Sequence, residues 1–193
     1  MLSNLDKYKI FLASNSPRRR EIMKLLHLPF TSVSLDGIDE SYPEGLNLQM
    51  IPLFIASKKS KAYLKRMGKN DLVITADTVV ICDNKILGKP KDETDAKRML
   101  KFLSGKTHQV ATGVVIATQE REESFVCISE VTFSSLTDDE INYYVDTMHP
   151  LDKAGAYGIQ EWIGAVAVAS IKGSFYNVMG LPIHQVYEHL KSF

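Results

Sequence analysis

The chain is poor in the residues that announce many common chemistries. Among 193 residues there are two cysteines, Cys82 and Cys127, far apart and each in an apolar run. They form no Cys-x-x-Cys pair, so a thiolate metal motif or a dithiol redox motif is absent, and buried thiols in a reducing compartment are expected. The five histidines, His27, His108, His149, His184 and His189, form no His-Glu-x-x-His cluster and are each expected at the surface or at a helix cap. The formal net charge is zero. That argues against a broad electrostatic grip on nucleic acid or on an acidic membrane surface. The longest uncharged apolar stretch, residues 163–171, is too short to span a bilayer. Residues 1–8 contain no apolar signal-peptide core, and the expected location is the cytoplasm. Gly-x-x-x-x-Gly-Lys-Ser/Thr, Gly-x-Gly-x-x-Gly and Gly-x-Ser-x-Gly are all missing, which disfavours a P-loop, a Rossmann nucleotide site and a hydrolase nucleophile elbow. No repeat, low-complexity tract or linker is present.

What remains is an ordinary globular composition, 45% hydrophobic and 24% charged. Its length suits one domain over 1–193, or two lobes around a cleft. One stretch stands out. Residues 10–12 are apolar without helical periodicity and read as a strand end. Ser14 and Ser16 follow as N-cap candidates, and Pro17 suits a first helical position. Ile22, Leu25 and Leu26 then repeat at helical spacing and give that helix a buried face. Three of the six arginines, Arg18, Arg19 and Arg20, fall in or next to its first turn. Cations are disfavoured at a helix N-terminus by a few tenths of a kcal/mol. A bound phosphate would account for them, because N–H groups and guanidinium forks would meet on the same oxygens. A solvated basic helix face accounts for them equally well from this stretch alone.

Further along, residues 30–35 alternate as a second strand. A carboxylate-rich loop through Asp36, Asp39 and Glu40 ends at Pro43 and Gly45. Residues 48–67 read as a helix with Leu53, Ala56, Ala62 and Leu64 near one face and Pro52 in its first turn or at a kink. Lys58, Lys59 and Lys61 stud it. Residues 72–82 are β-branched and apolar on both faces, a buried central strand. Asp83-Asn84 makes a two-residue turn into 85–87, and Gly88-Lys89-Pro90 breaks the chain. A helix over 94–103 closes at Gly105, and 110–117 with 124–133 forms a hairpin. Thr137 and Glu140 form a capping box for a helix to about 147, stopped by Pro150. A strand over 166–171, a loop over 173–180 and a helix from Pro182 to about 191 complete the chain. Alternating helices and strands followed by an antiparallel hairpin imply an α/β fold with a mixed sheet.

Asp77 is the residue with the strongest chemical signal. An aspartate inside an apolar strand is costly unless it is paired, hydrogen-bonded or bound to metal. A structural aspartate satisfied by backbone is the plain alternative. Glu40 on a loop, Lys59 on a helix and Lys89 after a glycine supply further carboxylate and cation. One acid in a core strand with several cations elsewhere fits a polyphosphate site whose carboxylates hold a divalent ion or activate water. Trp162, Tyr143 and Tyr144 read as packing residues.

Ser14-Asn15-Ser16-Pro17-Arg18-Arg19 resembles the Ser-x-Ser-Pro-Arg-Arg signature of the Maf family of nucleoside triphosphate pyrophosphatases. Further segments match in order. They are Glu40, Ala56 to Lys59 (with Ser60 where alanine is usual), Ala76 to Val80, Lys89-Pro90, Leu103 to His108, Asp152 to Gln160, and Asn177 to Pro182. Together they cover nearly the whole chain. The resemblance implies a mixed, twisted sheet flanked by helices, in an elongated two-lobed domain with a central cleft, related to inosine triphosphate pyrophosphatases and usually a homodimer. It implies hydrolysis of a nucleoside triphosphate between the α and β phosphates with Mg²⁺ or Mn²⁺. By the same resemblance Asp77 accepts the proton of the attacking water. Glu40, Lys59 and Lys89 are active-site positions, Ser14 and Arg19 belong to the substrate-binding signature, and Arg18, Thr78 and Gln160 tune substrate choice. Glu40, with Asp77, is the expected metal ligand. The segment ending at Gln160 is similar to the branch preferring dTTP and UTP, which implies house-cleaning of modified nucleotides. Two other readings remain: a broader pyrophosphatase acting on CTP or modified pyrimidines, and a regulatory nucleotide-binding protein in cell division or septum formation. A nucleic-acid-binding module and a membrane protein are disfavoured by the charge and by the apolar runs.

Overall fold

The structure, a computed structural model, describes residues 2–34 and 37–193. Leu35 and Asp36, the end of the expected second strand and the start of the acidic loop, lie outside the described residues. Among the described residues, seven strands form one sheet: β1 (Lys9–Ala13), β2 (Thr31–Val33), β3 (Asp71–Cys82), β4 (Lys85–Leu87), β5 (Thr107–Ala117), β6 (Glu122–Phe133) and β7 (Val168–Lys172). Their order is β2-β1-β3-β5-β6-β7, with β4 paired to β3. β1 runs parallel to β2 and β3, with Phe11 opposite both Thr31 and Val73. β4 is antiparallel to β3, and β7 is antiparallel to β6. The flanking helices are α1 (Pro17–Lys24), α2 (Ile51–Leu64), α3 (Glu93–Leu103), α4 (Asp138–Met148), α5 (Trp162–Ala167), α6 (Phe175–Met179) and α7 (Ile183–Leu190). This is the mixed α/β sheet that the sequence pattern implies. Among the described residues no helix is long and apolar enough to cross a membrane.

The local punctuation acts as expected in several places. Asp83 and Asn84 both adopt left-handed backbone, with φ of 48° and 57°, which suits a two-residue hairpin turn between β3 and β4. Thr137 and Glu140 exchange the two hydrogen bonds of a capping box at the start of α4. Pro52 occupies the first turn of α2, where its missing N–H costs nothing.

Other expectations are corrected. α1 ends at Lys24, so Leu25 turns out to solvent at 52% exposure, and Ile22 and Met23 form the buried face. The apolar run 163–171 holds most of a short helix and then a strand, so Val166 and Ala167 belong to α5 rather than to a strand. Periodicity alone could not divide so short a run. The expected loop over 173–180 contains α6, organised by Asn177. This fully buried side chain donates from Nδ2 to Val110 O and to Ser129 Oγ, both at 3.0 Å. Cys82 is buried, but Cys127 is only half-buried.

The chain divides into two compact units. One comprises residues up to Asp77, Thr112–Cys127 and Gly180–Phe193; the other comprises Thr78–Ala111 and Ile128–Met179. In the first, Ala13, Ala56, Met67, Val73, Val115 and Ala117 form a core of small and medium side chains. Gly113 on β5 lets the start of α2 approach closely, since a Cβ there would lie 2.2 Å from Leu53 N. In the second, larger side chains such as Leu100, Leu103, Phe133, Tyr144 and Ile163 build the core.

His108 lies in that second core, contrary to the expectation of a surface or cap histidine. Its ring packs edge-on against Phe133 and Tyr157, and Nε2 lies 2.7 Å from the Tyr157 hydroxyl. Burial lowers its pKa from 6.5 to about 4. The unfolded chain therefore takes up the proton first as pH falls. Stability that is complete above pH 6.5 is lost progressively towards pH 4, by up to ~3 kcal/mol. Between pH 7 and pH 4.5, denaturant unfolding of the natural protein should lose about 2 kcal/mol more than His108→Gln loses. Equal losses would show that His108 does not govern this limb.

Candidate functional site

In the first unit the site grows from three local structures. The first is the turn before α1. Ser16 is the N-cap and accepts the Arg19 N–H at 3.4 Å, while Ser14 Oγ accepts the Ser16 N–H at 3.2 Å. Arg18 and Arg19 are therefore held in the first helical turn, as the sequence suggests. Arg19 does more than wait for an anion. Its Nε donates to Gly180 O at 2.7 Å and its Nη1 to Ala76 O at 2.9 Å, with Ser14 Oγ at 3.5 Å. The guanidinium thus ties the turn to the carbonyl that precedes Asp77. Burial lowers its pKa below the ordinary value, opposed by the charges of Asp77 and Glu40.

The second is the seam between α2 and β3. Thr75 and Asp77 point to the same side of the strand, and Ala56 and Lys59 lie one turn apart on the helix. Thr75 Oγ1 donates to Ala56 O at 2.8 Å inside the core. That bond sets the register, and one step along it Lys59 Nζ meets Asp77 Oδ1 at 2.7 Å. The two side chains are only 13% and 14% exposed. Water screens such a pair weakly, so its charges matter more than those of surface pairs. Ser60 is fully buried, with an Oγ that has no hydrogen-bond partner among the described residues.

The third is the acidic loop. Asp39 accepts from the Ser41 N–H and hydroxyl at 2.9 and 2.6 Å, and from Lys58 Nζ at 2.9 Å. Lys58 also donates to Ser41 O at 3.0 Å. The Ser41 hydroxyl, then Lys58, holds the Asp39 carboxyl well below the usual carboxylate range. This clip fixes the loop so that Glu40 Oε1 comes within 2.8 Å of Lys59 Nζ. Successive lysines on α2 therefore do different jobs. Lys58 holds the loop, and Lys59 lies between Glu40 and Asp77. The sequence shows both lysines and both loop carboxylates but not this division of labour.

The structure thus brings Ser14, Arg19, Glu40, Lys59 and Asp77 together in one unit, with Arg18 beside Arg19. Thr78 follows Asp77 on β3 and belongs, with Lys89 and Gln160, to the second unit. There Gly88 O accepts the Gly155 N–H at 3.0 Å, which joins the break carrying Lys89 to the segment that leads to Gln160. Gly155, at φ 69°, sits against Val80, two residues beyond Thr78; a Cβ there would approach Val80 Cγ2 to 2.9 Å. Lys89 and Gln160 are both exposed, at the ends of these anchored segments.

Among the described residues no group of three or more His, Cys, Asp and Glu side chains could hold a metal ion. Glu40 and Asp77 converge on one lysine ammonium, which is lodged between them.

A family profile described as "Maf-like protein" matches residues 9–193. The dTTP/UTP pyrophosphatase of Phocaeicola vulgatus is 52% identical over 191 residues, 99% of each chain. That of Porphyromonas gingivalis is 52% identical over 195 residues, 100% of this chain and 98% of its own. That of Flavobacterium johnsoniae is 45% identical over 186 residues, 96% and 95% of the two chains. Among solved structures, the Ham1 protein of Staphylococcus aureus superposes with a TM-score of 0.54 over 95% of this chain and 98% of its own. At 16% identity that likeness concerns the fold alone. With the profile spanning all but the first eight residues, this chain belongs to the Maf family.

Proposed function

We propose that the chain is a nucleoside triphosphate pyrophosphatase that cleaves dTTP and UTP between the α and β phosphates, releasing the nucleoside monophosphate and pyrophosphate. The observation that carries this reading is the Lys59 ammonium held between Glu40 and Asp77, with the Arg19 guanidinium on the carbonyl of Ala76. In-line attack on a triphosphate asks for charge neutralisation and positioning more than for covalent chemistry. Cations and carboxylates are therefore both needed, whereas a protein that only binds nucleotide needs the cations. The pyrimidine preference rests on relatives that carry that name at about half identity over their full lengths.

In this reading Lys59, Arg18 and Lys89 take phosphate oxygens. Arg19 keeps the Ser14–Arg19 turn against β3 and adds its charge. Asp77 accepts the proton of the attacking water, and Thr78 and Gln160 meet the base. Glu40 and Asp77 fit a divalent cation by donor chemistry. Both are hard carboxylate oxygens, and both already face a cation in Lys59. Two protein ligands suit Mg²⁺ or Mn²⁺, whose remaining positions are commonly filled by water and substrate phosphate. When bound, such an ion would offset the charge that develops on the phosphates and lower the pKa of a bound water. Clearance of non-canonical or modified pyrimidine nucleotides is the cellular role that this activity serves.

Incubation with common and modified triphosphates plus Mg²⁺ or Mn²⁺ tests the proposal. Pyrophosphate should appear with dTTP and UTP well ahead of the purine triphosphates. A purine preference, or no turnover with any triphosphate, would overturn it.

A further inference from the structure

Residues 155–159 are buried, whereas Gln160 is exposed, so a short buried segment ends on a projecting amide. The side chains that hold this segment are unusual for a core. Lys153 is only 8% exposed, and its ammonium lies 2.7 Å from Asp152 Oδ1 and 3.1 Å from Glu161 Oε1. The other Glu161 oxygen accepts from the Tyr144 hydroxyl, and that hydroxyl accepts the Gly158 N–H at 3.0 Å. Tyr144 itself is fully buried on α4. Gly158 makes room for the carboxylate, since a Cβ there would lie 2.7 Å from Glu161 Cδ. The Glu161 N–H donates back to Gly158 O at 3.0 Å. Gln160 is therefore fixed from both sides, by buried Ile159 before it and by the clamped Glu161 after it.

A buried ion pair adds little stability over apolar residues of similar size, because desolvation offsets the attraction. Its benefit is geometric: hydrogen bonds with fixed directions hold a neighbouring group more exactly than greasy packing does. We propose that Tyr144, Lys153 and Glu161 form a positioning network that fixes Gln160 and thereby sets discrimination between nucleotide bases. None of the three touches the substrate. The proposal rests on the reading in which Gln160 meets the base.

The test compares kcat/KM for dTTP and dGTP in the natural protein, Gln160→Ala, Glu161→Gln and Tyr144→Phe, and in each network variant combined with Gln160→Ala. The single network variants should lower the dTTP-to-dGTP ratio about tenfold. The loss should come through a higher KM for dTTP, with kcat for dTTP within about threefold. In the Gln160→Ala background the same changes should move the ratio by less than about twofold, because their effect passes through Gln160. Tyr144→Phe and Glu161→Gln keep side-chain shape, and thermal unfolding identifies a variant that fails to fold; the other then carries the test. If Gln160→Ala collapses the ratio while both network variants leave it intact, the network proposal is overturned and the base-reading role of Gln160 stands. If Gln160→Ala leaves the ratio intact, that base-reading role fails, and the network proposal fails with it.

Discussion

Asp77→Asn should reduce kcat for dTTP by about a thousandfold or more while leaving the fold intact. The substitution keeps the shape and one acceptor oxygen, so Lys59 Nζ still has a hydrogen-bond partner at the position now 2.7 Å away. Thr75, which ties β3 to α2 through Ala56 O, is unaffected. What is lost is the negative charge and the basic oxygen. An amide cannot take a proton from water, and it is a poor ligand for a divalent cation. Because KM reflects phosphate contacts supplied mainly by cations, it should change far less than kcat. Steady-state kinetics with a pyrophosphate readout, alongside thermal unfolding, checks both halves. Turnover within tenfold of the natural protein would remove Asp77 from the chemistry and return it to the role of a structural strand aspartate.

The second large effect is expected at Lys59. Lys59→Met keeps the length of the side chain and removes the charge between Glu40 and Asp77. The two carboxylates then face each other with no ammonium between them, and Glu40 loses its hold on α2. In a pair this sheltered, removing one partner is costly because it leaves the other charges uncompensated. We expect kcat/KM for dTTP to fall at least a hundredfold, about 3 kcal/mol of transition-state stabilisation. Lys59→Arg should retain part of the activity because it keeps the cation, although its planar fork cannot reproduce the contacts of an ammonium between two carboxylates. Activity within fivefold in Lys59→Met would show that this ammonium only closes the seam. The neighbouring Lys58→Met variant is a useful contrast, since Lys58 acts on Asp39 and the loop rather than on Asp77.

Much of this arrangement was legible because it is written in local signals. Ser16 and Pro17 mark the start of α1, the β-branched run marks β3, and the Thr137–Glu140 pair marks α4. Asp77 was legible for a different reason: an acid inside an apolar strand needs a partner. The partner was not. Lys59 lies 18 residues earlier, and its arrival depends on the bond from Thr75 to Ala56 O, which no side-chain pattern announces. Arg19 shows the same limit. Its contacts are backbone carbonyls of Ala76 and Gly180, invisible to composition or spacing, and they add a bracing role to the charge that the sequence shows. The burial of His108 and Lys153 is not legible in the sequence, because polar residues are usually exposed. Each is buried here because a specific partner, Tyr157 in one case and Glu161 in the other, meets it inside the second core. The segment 163–171 is too short for periodicity to divide, since most of α5 and most of β7 share one apolar run.

In the proposed reaction, water deprotonated at Asp77 attacks the α phosphorus of a pyrimidine triphosphate. Turnover of dTTP in ¹⁸O-enriched water, followed by ³¹P NMR and mass spectrometry, tests it most directly. The expected products are dTMP and pyrophosphate alone, with one ¹⁸O in the dTMP phosphate and none in pyrophosphate. Label in pyrophosphate, or release of dTDP and single phosphate, would contradict it.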